Sequence, residues 1–409
     1  MADLSLDSVF VVCVAGALAP LLLGLSPRLR LPAVVLEIIA GIVLGPSVLG
    51  WIEIDAPVQV LSMIGLSFLL FLSGLEIDVR RLRGRVLRLA VLGYLITLAL
   101  GVPIGLGVEA AGWVGSATLL VVILSATSLG LVVPVLKDTG NAGDTVGQAA
   151  IVSASVADIS AIVLLSLLFS TSDGSAESRL LLVAAFVTLV AVTGVVVSQA
   201  GRWMRLSDVL LRLQDTTAEI RVRLAVVLLI GFTALAQEFG LESILGAFLA
   251  GAVISVVDRD SSSHLNFRTK LNAIGFGFPV PVFFVTSGAS LQVEGLIDSP
   301  AALARVPVFL AALLLMRGLP GALYIGLLGR RPAIALGLLN ATSLPFIVAA
   351  AQIGMELGSL SRTTGAALVS AGLLSVLFFP LAALSLLGGD KGTSVPGSPE
   401  RNTWATPTM

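Results

Sequence analysis

The sequence predicts an all-α polytopic membrane protein of about 13 transmembrane helices, and three observations carry that expectation. Of 409 residues, 56% are hydrophobic and 12% charged, whereas an ordinary soluble domain carries roughly 25% charged residues. Mean hydropathy is +1.04. Apolar stretches of about 20 residues, the length that crosses a bilayer, recur along the whole chain between short polar joints.

Each predicted span is bracketed by charge. The stretch 8–25 lies between Asp7 and Arg28, 33–49 between Arg30 and Glu53, and 58–76 between Asp55 and Arg80. Span 87–107 runs from the basic group Arg80, Arg81, Arg83, Arg85 and Arg88 to Glu109, and 113–136 ends at Lys137. Span 145–170 is followed by Asp173, and 180–200 runs from Arg179 to Arg202. The next two, 223–239 and 242–257, start after Arg221 and end before Arg259, with Glu238 and Glu242 at their shared joint. Span 271–289 follows Lys270, 302–328 ends before Arg330, 333–353 before Glu356, and 363–387 before Lys391. The joints therefore alternate in sign. One side holds 20 of the 24 basic residues; by the positive-inside rule this places the N-terminus outside and the C-terminus in the cytoplasm. The chain opens with Asp3 and Asp7 and shows no basic leader. From Gly388 the composition turns to Gly, Ser, Thr and Pro, so 388–409 reads as a disordered cytoplasmic tail behind a single transmembrane unit, 1–387.

Residues 125–129 read Ser-Ala-Thr-Ser-Leu and 340–344 read Asn-Ala-Thr-Ser-Leu, with Pro134 and Pro345 following. Both interrupt apolar spans, the fifth and the twelfth. An odd shift of seven crossings puts the copies in opposite orientations, the mark of an inverted repeat whose broken helices build a site near the bilayer midplane. Chance similarity in an Ala-, Leu- and Ser-rich chain is the other reading of so short a match.

Ionisable groups at membrane depth are costly and tend to be functional. Sorted by depth, Asp158 is the one aspartate far from a helix end. Ser155 lies three residues earlier, on the same helical face. Glu37 sits early in the second span and Glu76 closes the third, which makes them secondary acids. Arg317 is the deep base. A carboxylate with hydroxyls and the freed backbone of a broken helix makes an all-oxygen site for a proton or hard cation. Two readings stay open: Asp158 as an ion site, or as a buried structural partner of Arg317, with Glu37 structural near the interface.

The same inventory excludes several chemistries. An intramembrane aspartyl protease needs two deep aspartates. The single histidine, His264, falls in a predicted loop, and HExxH is absent. The single Cys13 forms no internal disulfide or cysteine cluster. A net charge of −1 leaves no nucleic-acid footprint, and the chain has no nucleotide-binding GxGxxG unit. No enzyme activity, cofactor or resident metal is expected.

Several segments resemble the monovalent cation:proton antiporters, in the branch of the Kef-type and NapA-type exchangers. They are LRLPAVVLEIIAGIVLGPSVLG at 29–50, GLSFLLFLSGLEID at 65–78, SATSLGLVVPVLKDTG at 125–140, ADISAIVLL at 157–165, LGAFLAG at 245–251 and PVFFVTSGASL at 281–291. The resemblance implies an NhaA-like inverted-repeat fold with two crossed, unwound helices. It also implies core helices over about 87–170 and 302–387, with the rest serving as scaffold and homodimer contact. Asp158 falls on the family's ion- and proton-binding aspartate, and Thr127 and Ser128 fall on one unwound crossing, with Asn340, Thr342 and Ser343 opposite. Arg317 matches the family's charge-balancing base. Where the family places a polar residue before the aspartate, this chain has Ala157. One carboxylate implies electroneutral exchange of one Na⁺ or K⁺ for one H⁺ across the plasma membrane, in contact with lipid. A sodium-coupled organic-anion symporter, with Arg317 holding the anion, and a transport-inactive or channel-like relative are the alternatives.

Overall fold

The structure, a computed structural model, describes residues 6–25, 32–77, 84–138, 141, 143–168, 181–190, 192, 219–257, 265–291, 296 and 300–388. The helices are α1 (Asp7–Leu25), α2 (Ala33–Leu44), α3 (Ala56–Leu75), α4 (Gly84–Ala110), α5 (Ala117–Ser125), α6 (Leu129–Asp138) and α7 (Thr145–Leu168). The chain continues with α8 (Leu181–Val190), α9 (Ile220–Glu238), α10 (Ser243–Val257), α11 (Leu265–Gly277) and α12 (Pro279–Ala289). It closes with the composite helix α13 (Pro300–Leu328), then α14 (Arg330–Asn340), α15 (Pro345–Glu356) and α16 (Arg362–Gly388). Among the described residues, 8 spans are long and apolar enough to cross a membrane and five shorter apolar helices accompany them, in agreement with the expected 13.

The breaks have local causes. α3 starts where Asp55 Oδ1 accepts the Val58 amide at 3.0 Å, an N-cap. α5 starts likewise on Ser116, whose hydroxyl accepts from Leu119 N at 3.3 Å. α5 stops at Ser125 because Ala126 is extended, with ψ 156°. On the other copy the helix resumes at Pro345, its first residue. Proline suits that position and disfavours helix in the residue before it; Leu344 accordingly takes φ −141°, ψ −57°.

Three spans depart from expectation. The stretch 271–289 is not one helix: it divides at Phe278 (φ −146°, ψ −71°) ahead of Pro279, again because of the residue-before-proline restriction. Within α13, residues Leu314–Gly318 form a π turn and Leu319–Tyr324 a 3₁₀ turn. Pro320 has no N–H to give the α ladder, and the wider turn before it carries Arg317. The second span also ends earlier than expected, at Leu44, where Gly45 turns extended before Pro46. Gly388 still belongs to α16. The tail beyond it, His264, Arg80, Arg81 and Arg83, and most of the expected 180–200 span after Val190 lie outside the described residues.

The helices pack in two sets. In the first, α3 lies along α10 and α12, α2 along α12, α9 along α10, and α1 against α2 and α12. In the second, α4 packs on α5 and α7, α14 on α16, α13 and α7, and α15 on α16 and α5. The sets meet over few pairs, among them α7 with α10 and α3 with α6.

Candidate functional site

The second set has a polar centre where the two interrupted spans cross. The Ser128 amide donates to Thr342 O at 3.0 Å, and the Thr127 hydroxyl donates to Asn340 O at 2.7 Å. These two bonds tie the Ser-Ala-Thr-Ser copy to the Asn-Ala-Thr-Ser copy. A third support comes from α16: Ser375 Oγ accepts from Ser343 N at 3.2 Å and donates to Ser343 O at 3.1 Å. Backbone released from a helix inside an apolar protein must be satisfied by such partners.

Asp158 comes to this crossing from the middle of α7 and is 7% exposed. Its Oδ2 accepts the Leu129 amide at 3.3 Å. Leu129 opens α6, so the carboxylate faces a helix N-terminus, where free N–H groups and the helix dipole favour negative charge. Beside it in sequence, Ala157 is fully buried and offers no polar atom.

Arg317, 4% exposed, reaches the same crossing from the π turn of α13, and its donors go elsewhere than Asp158. Nε and Nη2 both donate to Thr127 Oγ1, the former at 3.0 Å, and Nε also reaches Asn340 O at 3.3 Å. Nη1 donates to Thr97 Oγ1 at 3.4 Å. Asn340 O is a carbonyl at the C-terminal end of α14, the negative pole of that half-helix, where a cation is favourable. The guanidinium thus staples α4, α5–α6 and α14 together, and its fork geometry suits several acceptors at once.

The candidate residues therefore converge unevenly. Thr127, Ser128, Asp158, Arg317, Asn340, Thr342 and Ser343 meet at the crossing. Asn340 Oδ1 and Ser343 Oγ are buried there without a hydrogen-bond partner among the described residues. The Thr342 hydroxyl bonds back to Leu338 O at 3.2 Å. Ser155 shares the buried stretch of α7, yet its hydroxyl donates to Ile151 O at 2.8 Å on its own helix. Glu76 caps the C-terminus of α3 and lies within electrostatic reach of Asp158. Glu37 stays in α2, in the other set of helices. Sequence reasoning missed Thr97, fully buried on α4, and the two tyrosines that line the centre. Tyr94 OH bonds Ser125 Oγ and Tyr324 OH bonds Ser153 Oγ, each at 2.9 Å. The spacing of Tyr94 and Thr97, three residues apart in an otherwise apolar span, was the available signal.

The family model described as "Sodium/hydrogen exchanger, transmembrane" matches residues 14–384. The chain belongs to the sodium/hydrogen exchanger family. This exchanger-family chain is 29% identical over 367 residues to the Na(+)/H(+) antiporter of Enterococcus hirae, covering 87% of this chain and 92% of that one. It is 31% identical over 281 residues to the Na(+)/H(+)-K(+) antiporter GerN of Bacillus cereus, covering 66% and 68%. It is 32% identical over 396 residues to YjbQ of Bacillus subtilis (strain 168), covering 93% of this chain and 63% of that protein's length. Among solved structures, the sodium proton antiporter MjNhaP1 of Methanocaldococcus jannaschii at pH 8 superposes with a TM-score of 0.68 at 18% identity, covering 93% of this chain and 99% of that one. At that identity the likeness establishes the fold alone. The antiporter resemblance read from the motifs is thereby shown at the level of the family.

Proposed function

We propose that this protein exchanges one Na⁺ or K⁺ for one H⁺ across the plasma membrane, electroneutrally, through Asp158. The observation that carries the reading is a carboxylate, the single one buried at the crossing among the described residues, held by a helix N-terminus, next to Ala157 and clear of the arginine's donors. Burial disfavours the bare anion, so the site is neutralised by a proton or by a cation. The two compete for one charge. For the cation, the Asp158 oxygens, Asn340 Oδ1 and Ser343 Oγ are oxygen ligands of the kind hard cations take.

Transport then requires the second set of helices to move against the first, exposing Asp158 to either side. The thin contact between the sets favours such movement. An empty, charged site resists passage, which couples the two fluxes. Arg317 neither supplies nor accepts the transported proton, an arginine being charged near neutral pH; it balances charge and holds the crossing closed. Its donors are engaged by Thr127, Asn340 and Thr97, which leaves little for an organic anion and argues against the symporter reading. On this reading the basic joints face the cytoplasm, with the N-terminus outside, and two copies associate through the first set.

The test is proton flux in proteoliposomes under Na⁺, K⁺ and Li⁺ gradients. Asp158→Asn abolishes cation-dependent flux while the purified protein keeps its melting temperature. Robust coupled flux in that variant overturns the assignment.

A further inference from the structure

Among the described residues, the mechanism leaves one buried carboxyl unused. Glu37 lies in α2, is 5% exposed, and no hydrogen bond or ion pair reaches it among the described residues. We propose that Glu37 is a proton-binding site of its own, a carboxylic acid that holds a resident proton at the α2–α12 joint and is not carried in transport.

The surroundings argue for a proton. α2 packs against α12 and α1. α12 reads PVPVFFVTSGA and brings no ionisable group. α1 brings Cys13 and, at its first residue, Asp7, which would add no positive charge beside Glu37. Glu37 is the ionisable group of α2 itself. Among the described residues no cation of these elements faces the carboxyl, so a charge there would stand without a partner, a state that buried groups escape by neutralisation. A metal ion needs a cage of oxygens, and none is built around this side chain; a proton needs only the carboxylate.

The two helices meet closely one turn further on. Gly41, one turn after Glu37, lies against the Val285 carbonyl, and a Cβ there would collide with it; Gly288 stands in the same relation to Ile38 O. α12 in turn touches the second set, where Gln352 Nε2 donates to Ser287 Oγ at 3.3 Å. The neutral acid therefore sits in a rigid part of the frame next to a contact with the moving part. A resident proton adds nothing to the transported charge, so a second buried carboxylate is compatible with one-for-one exchange.

Infrared difference spectra of the full chain in lipid test this, on an Asp158→Asn background where that carboxyl gives no signal and transport is absent. At neutral pH, adding Glu37→Gln removes a carbonyl band of a protonated carboxyl. Loss of carboxylate bands in its place overturns the proposal. In the unmutated protein, dicyclohexylcarbodiimide, which attacks protonated carboxyls in apolar surroundings, gives an adduct that mass spectrometry locates at Glu37. An adduct at Asp158 with none at Glu37 counts against the site. Glu37→Gln alone keeps exchange within about twofold, because the amide is a neutral isostere; a loss of about tenfold or more would make Glu37 part of transport and overturn the resident-proton assignment.

Discussion

Both sets of helices contain close glycine contacts, but the second adds a polar centre that the first lacks among the described residues. In the first, glycines let backbones touch: Gly251 lies on the Phe71 carbonyl, Gly74 on Phe248 O, Gly65 on Pro279 O and Gly246 on Phe232 O. Small residues at helix crossings are how membrane proteins gain close packing without a hydrophobic drive. In the second, the centre is polar: Thr127, Arg317, Asn340, Ser343 and Ser375 satisfy backbone that two broken helices release. A frame with no room for a Cβ is stiff. A centre built on exchangeable hydrogen bonds can trade partners as ions come and go. The contrast ties rigidity to the sequence of small residues and function to the sequence of polar interruptions.

Breaking the first set has the largest effect on folding. Gly251→Val drives a side chain into the Phe71 carbonyl and towards Leu75 N. Backbone cannot swing away as a side chain can, so the cost exceeds the ~1–3 kcal/mol of ordinary overpacking. Size-exclusion chromatography in detergent should show aggregate in place of a monodisperse peak.

Arg317→Ala weakens the second set without collapsing the first. It removes donors to Thr127, Asn340 O and Thr97, each charge-assisted bond being worth ~1.5–3 kcal/mol. The expected result is a lower melting temperature with an apparent cation KM at fixed pH within about twofold of wild type, because the loss is in an internal staple and not in ligand binding. A large change in cation KM would instead place the guanidinium on the substrate.

The smallest effect is expected at the rim, where Glu242 of the first set lies within electrostatic reach of Glu356 of the second. Glu242, in the joint between α9 and α10, is pushed above the usual carboxylate range by burial and then by the charge of Glu356. A carboxyl raised in the fold binds protons more tightly folded than unfolded, so stability is lost as pH rises through this window and is whole below it. Glu242→Gln removes that loss. Its melting temperature in detergent should exceed wild type by a degree or two at neutral pH, an effect within the usual ±0.5 kcal/mol of surface changes, and match it in acid.

Much of this was legible in the chain. Bilayer-length apolar runs bounded by alternating charge locate the crossings, because lipid leaves the backbone few choices. The paired Ala-Thr-Ser segments locate the breaks, and depth alone singles out Asp158. What escaped depends on tertiary meetings or on competing local bonds. Ser155 has the spacing to flank Asp158, but a serine in a helix can bond to its own i−4 carbonyl, as it does with Ile151. Thr97 meets Arg317 from a helix 220 positions away in sequence, which no periodicity reports. The break at Phe278 and the π turn at Arg317 were written in Pro279 and Pro320, and an apolar window overrides such single residues.

One measurement bears most directly on the single-carboxylate exchanger. In sealed proteoliposomes with equal Na⁺, K⁺ and H⁺ on both sides, an imposed membrane potential should move no net protons, whereas a Na⁺ or K⁺ gradient at zero potential should drive protons the opposite way. Net proton movement driven by the potential alone would mean that the cycle carries net charge and would contradict the account.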